Sequence, residues 1–89
     1  IFVVQDVSPK AVVHLLLIPV KHVTSLSELY NADLGFEKQL FSVATSMSKQ
    51  MGVDSSGYRL VLNQGPDSGQ QIDHLHFHLL GGNQLSDIG

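Results

Sequence analysis

The sequence predicts an α+β fold: an antiparallel sheet of about four strands with one main helix packed on it. Three observations predict it. Short β-branched and aromatic runs lie toward both ends of the chain, one long segment between them changes to a helical period, and the connections between neighbouring runs are short. The length of 89 residues suits a single domain spanning 1–89, since domains usually run to about 100–200 residues.

Residues 1–5, Ile-Phe-Val-Val-Gln, read as the first strand. Asp6, Val7, Ser8, Pro9 and Lys10 form a turn, because Pro9 fixes φ while Asp and Ser bond locally to the backbone. A second strand covers residues 14–18 and stops at Pro19, which cannot donate to a ladder. Its succession of large apolar residues predicts cover on both faces. Residues 27–30 suggest a short helical turn. Phe36, Leu40, Val43, Ala44, Met47 and Met51 then follow the spacing of a helix that buries one stripe. With Asp33 as N-cap and Gly52 as C′ residue, that helix is predicted over 33–51, its first turn weakened by Gly35. Residues 58–62 form the third strand. A polar loop at 63–70 leads into a fourth strand over 71–80, which ends at Gly81 and Gly82.

Composition removes several functions. Apolar residues at 43% and charged residues at 15% are too hydrophobic for disorder, and no apolar run reaches the length of a membrane span. Without cysteine there is no disulfide scaffold, thiolate metal site or cysteine nucleophile. Net charge is −3, and Lys10, Lys21, Lys38, Lys49 and Arg59 are scattered singly. A nucleic-acid groove needs clustered cations, so neither nucleic acid nor membrane is an expected partner. The first residues show no signal-peptide pattern, and a cytoplasmic location is expected.

His74, His76 and His78 carry the chemistry. Strand side chains alternate, so these imidazoles are expected on one face at intervals of about 6–7 Å, with Leu75, Phe77 and Leu79 directed into the core. Such a row suits metal binding, nucleophilic phosphoryl transfer or plain anion binding. A neutral imidazole attacks phosphorus without first losing a proton. The preceding loop carries Gly65 and Gly69, through which backbone amides can approach an anion, and that favours phosphate over metal.

The pattern His-φ-His-φ-His-φ-φ, with φ apolar, resembles the signature of the histidine triad (HIT) superfamily of nucleotide hydrolases and transferases, and residues 74–80 match it throughout. Leu79-Leu80-Gly81-Gly82, the Asp-Val-Ser-Pro-Lys-Ala stretch at 6–11 and the segment 14–22 are similar to the histidine triad nucleotide-binding (Hint) branch. The likeness spans essentially the whole chain. It implies a HIT-like fold, N-terminally incomplete because the helix and strand that open the family's domain are absent.

The resemblance implies roles as well. His76 matches the nucleophile that takes the nucleotidyl group, its other ring nitrogen oriented by a backbone carbonyl. His78 would contact phosphate and help protonate the departing amine, with His74 and His14 behind the nucleophile. Asn63, Gly69, Gln70 and Gln71 match the phosphate-binding positions. Asp6 matches the acid on the ribose hydroxyls, and Val7 and Leu16 the residues packed on the purine. His22 lies outside the family's reaction centre and reads as structural or surface. Gln71 stands where the family usually has Ser or Thr, and Leu85 to Gly89 replace a common Trp-Pro-Pro tail. The implied activity is a purine nucleoside phosphoramidase, also able to cleave acyl or aminoacyl adenylates, acting on AMP- or GMP-like substrates without cofactor or metal, as a homodimer. The alternatives are a non-catalytic nucleotide-binding module, motivated by Gln71, and a dinucleoside polyphosphate hydrolase, against which Gly81-Gly82 argues.

Overall fold

Residues 1–88 are described by the computed structural model. They build β1 (Phe2–Gln5), β2 (Val13–Ile18), α1 (Leu26–Ala32), α2 (Phe36–Gln50), β3 (Tyr58–Leu62) and β4 (Phe77–Gly81), with a 3-10 turn at Pro66–Ser68. The sheet order is β1-β2-β4-β3 and each neighbouring pair is antiparallel, the predicted α+β architecture. The last strand therefore inserts between β2 and β3.

Alternation along the strands sorts the two faces. Val13, Leu15 and Leu17 of β2 and Phe77 and Leu79 of β4 join one core with Leu29 of α1 and Phe36, Leu40 and Ala44 of α2. The Phe36 and Phe77 rings stack at 6.1 Å. Val43, Met47 and Met51 complete the expected helical stripe, packed against that core. Five of the six β2 residues are buried, as its apolar run and interior place in the sheet require.

Three local expectations are corrected. The helix expected over 33–51 is split: Asp33 ends α1, and Gly35, at φ 84°, starts α2 at Phe36. Only a residue free of Cβ strain takes that angle readily, so the break falls at the glycine rather than at the acid. The short turn expected at 27–30 is a seven-residue helix. The Ser25 hydroxyl caps it by accepting the Glu28 N–H at 3.1 Å, and the Glu28 carboxylate accepts the Thr24 N–H at 3.3 Å. Finally, the strand expected over 71–80 begins only at Phe77. Its neighbours run out earlier, since β2 ends before Pro19 and β3 ends at Leu62.

The C-terminus of α2 follows expectation. Gly52, at φ 73°, donates to Lys49 O at 3.1 Å and Val53 N–H donates to Ser48 O at 2.9 Å, the paired bonds of a Schellman cap. β4 closes at Gly81, where a Cβ would stand 3.2 Å from Val53 Cβ.

Candidate active site

The sheet face opposite the core carries His14 and His78. His78 pairs with Leu16 on one side and Val61 on the other, while His14 pairs with Leu80. The two histidines are thus diagonal neighbours on adjacent strands. His14 Nε2 lies 2.9 Å from His78 Nδ1, and the rings are 5.2 Å apart. Both belong to a groove of about 1050 Å³ whose lining also includes Asn63, Ser68, Val61 and Leu80.

The other two triad members are held by backbone carbonyls. His74 Nε2 lies 2.9 Å from Pro19 O, and His76 Nδ1 lies 2.9 Å from His74 O. A carbonyl only accepts, so each of these nitrogens bears hydrogen. Neutral His76 is left with its lone pair on Nε2, the tautomer a nucleophile needs. The His74 carbonyl is steadied in turn by Leu75 N–H, which donates to Val23 O at 2.8 Å. His76 is 6% exposed, and its ring meets that of His78 edge-on at 4.9 Å. Although His74 and His76 precede β4, Leu75, Phe77 and Leu79 keep the expected inward alternation, with 0%, 7% and 0% exposure.

Burial pushes the His14 and His78 imidazoles below their ordinary pKa of 6.5, and at His78 the neighbouring His76 and His14 rings add to the shift. The Ser8 N–H, donating to Asp6 Oδ1 at 2.8 Å, lowers the Asp6 carboxyl. Its other oxygen lies 3.4 Å from His14 Nε2.

The residues expected at the phosphate mostly brace their own loop. Asn63 Nδ2 donates to Ser68 O at 2.9 Å, and Gln70 Oε1 accepts Gly65 N–H at 2.8 Å. Gln70 Nε2 donates to Ile72 O at 2.8 Å. Gly69, at φ 83°, ends the 3-10 turn. Gln71 is exposed. Of the residues expected at the base, Val7 is 98% exposed on its turn whereas Leu16 is 8% exposed within β2.

Sequence reasoning missed two contributors, and the third, His22, is the surface histidine it expected. Lys10 N–H donates to His14 Nδ1 at 2.9 Å, the Pro19 carbonyl orients His74, and the exposed His22 sets its ring edge-on to His74 at 4.6 Å. Lys10 and Pro19 act through backbone atoms, for which side-chain type carries no signal. His22 lies on the segment beyond Pro19, and only the tertiary path brings it beside His74.

Among the described residues, Asp6, His14 and His78 offer ligand atoms within 4.8 Å of one another. The hydrogen bonds argue against a metal there. His14 Nδ1 already accepts the Lys10 amide, so neutral His14 carries its proton on Nε2, the atom that would face the ion.

A family model described as the HIT domain matches residues 1–85. An uncharacterized HIT-like protein of Chlamydia muridarum is 40% identical over 86 residues, covering 97% of this chain and 68% of that protein. The crystal structure of a HIT family hydrolase from Legionella pneumophila superimposes with a TM-score of 0.87 at 34% identity, covering 96% of this chain and 76% of that one. A histidine triad protein from Clostridium difficile gives 0.88 at 32% identity, covering 98% and 76%.

Proposed function

The chain belongs to the HIT domain family, and from that premise we propose that it is a Hint-type purine nucleoside phosphoramidase. The observation that carries the reading is the His76 Nδ1–H bond to His74 O, which leaves a bare Nε2 on a ring set edge-on to His78.

In the proposed reaction His76 Nε2 attacks the α-phosphorus of a purine nucleoside 5′-phosphoramidate or acyl adenylate. The N–P bond to His76 forms as the bond to the leaving group breaks, and a departing amine takes up one proton from solvent, which the water of the second step gives back. Water then attacks the same phosphorus, releasing the nucleoside monophosphate and restoring His76. His78 and the amides around Gly69 and Gln70 hold the phosphoryl oxygens. Asp6 reaches the ribose, and Leu16 with Val7 forms part of the base wall.

Turnover of adenosine 5′-phosphoramidate by wild type and His76→Ala tests this. The wild type should release AMP through a nucleotidyl adduct at His76 that survives alkaline denaturation and is lost in acid, as an N–P bond to imidazole is. Equal rates for the two proteins would reject the assignment. A non-catalytic nucleotide-binding module is the second reading, favoured by Gln71, an exposed amide where the family usually has the hydroxyl of Ser or Thr. AMP binding without an adduct would select it.

A homodimer and a cytoplasmic location complete the proposal. β3 stands at the end of the sheet order, and a second copy would pair along its outer edge. Light scattering at micromolar concentration should give twice the chain mass. No helix of the described residues is long and apolar enough to cross a membrane.

A further inference from the structure

We propose that the backbone N–H of Lys10 is a positioning group: it sets the tautomer of His14 and, through His14, that of His78, so that His78 presents a neutral Nε2–H to the phosphate. The hydrogen-bond chain is directional. An amide N–H can only donate, so His14 Nδ1, 2.9 Å away, must carry a lone pair. Neutral His14 then holds its proton on Nε2 and gives it to His78 Nδ1 at 2.9 Å. His78 in turn keeps its own proton on Nε2. The outward nitrogens of the two central histidines are therefore opposite in kind, bare at His76 and protonated at His78.

The same chain resists a second proton. Protonating His78 would set Nδ1–H against His14 Nε2–H, and protonating His14 would set Nδ1–H against the Lys10 amide. His78 thus serves by donating a hydrogen bond rather than by surrendering a proton. The charged and titratable groups around the pair are Asp6 and Lys10 from the β1–β2 connection, His76 before β4, Arg59 on β3 and Asp67 on the 3-10 turn. Of these, Asp6 alone comes within 4 Å of His14 in an ion-pair arrangement, at 3.4 Å, and it favours the Nε2-bound proton. The connection is built to hold the amide in place. Asp6 N–H donates to His14 O at 3.0 Å, and Lys10 Nζ donates to Ser8 O at 2.9 Å.

Lys10→Ala and Lys10→Pro form the test, because both lose the side chain and only proline lacks the N–H. Two-bond proton–nitrogen NMR on histidine-labelled protein reads the tautomers from about pH 5.5 to 8. Wild type and Lys10→Ala should show both His14 and His78 as neutral Nε2–H forms at pH 7. In Lys10→Pro, His14 should mix tautomers and the pair should protonate about one pH unit higher, with turnover about tenfold lower than in Lys10→Ala. An Nδ1–H or doubly protonated His14 in the wild type at pH 7 overturns the proposal, as does a Lys10→Pro spectrum that titrates like Lys10→Ala. Should Lys10→Pro fail to fold, the wild-type spectrum alone decides. The turnover arm rests on the phosphoramidase reading. A wild type without activity would defeat that reading and leave the tautomer assignment to the NMR.

Discussion

His14 Nε2 lies 2.9 Å from His78 Nδ1, although 64 positions separate the two residues. The contact follows from sheet order. β4 inserts beside β2 in a register that sets His78 opposite Leu16 and His14 opposite Leu80, and it is this diagonal that brings the imidazoles together. Side chains from both ends of the chain are thereby wired into one site.

Within the triad, the side chains of His76 and His74 should matter unequally. The group that orients His76 is the backbone carbonyl of His74, which a substitution at His74 leaves in place. His74→Ala should cost about tenfold in kcat/KM, through loss of the ring anchored on Pro19 O, whereas His76→Ala should cost about 10³-fold or more. Steady-state kinetics on adenosine 5′-phosphoramidate compares them. Equal losses would show that the His74 ring itself is needed in the reaction.

Acid should destabilise the fold through His14 and His78. Burial holds both imidazoles below 6.5, so the unfolded chain binds more protons in the window beneath that value. Their contribution is complete above pH 6.5 and is lost as pH falls through the window toward the folded values. Asp6, lowered from 3.8, adds a further loss only below that lower pH. Circular-dichroism melts should give a constant midpoint between about pH 7 and 8 and a falling one from about pH 6.5 downward, with a shallower fall in His14→Gln. A midpoint that holds steady down to pH 5 contradicts this.

Leu79→Ala should cost about 2–5 kcal/mol, because Leu79 is fully buried in the core between β4 and the helices. Urea unfolding measures the loss. Val7→Ala, by contrast, should shift stability by less than about 0.5 kcal/mol, since Val7 is 98% exposed.

Gly52→Ala should destabilise by about 1 kcal/mol. No atom lies within 4 Å of the added Cβ, so the cost comes from holding φ at 73° and not from a clash. Gly52→Asn should lose less, as asparagine tolerates the left-handed region better. A larger loss for Asn than for Ala in the same urea titration would point to packing instead.

Local pattern by itself determined much of this protein. Alternation sent Leu75, Phe77 and Leu79 to the core, helical spacing marked the stripe from Phe36 to Met51, and glycine after the last apolar turn marked the cap at Gly52. The alternation of His74, His76 and His78 with core residues was legible too, but His74 and His76 lie before β4, and the His76 and His78 rings stand 4.9 Å apart rather than at strand intervals. What crosses between segments was not legible. β4 starts at Phe77 because its neighbouring strands end, and Gly35 rather than Asp33 starts α2 because a left-handed φ outweighed a capping side chain. The Lys10 amide and the carbonyls of Pro19 and His74, which orient the histidine rings, are backbone atoms present at nearly every position. Every residue carries such groups, so only the tertiary path of the chain decides which of them meets an imidazole.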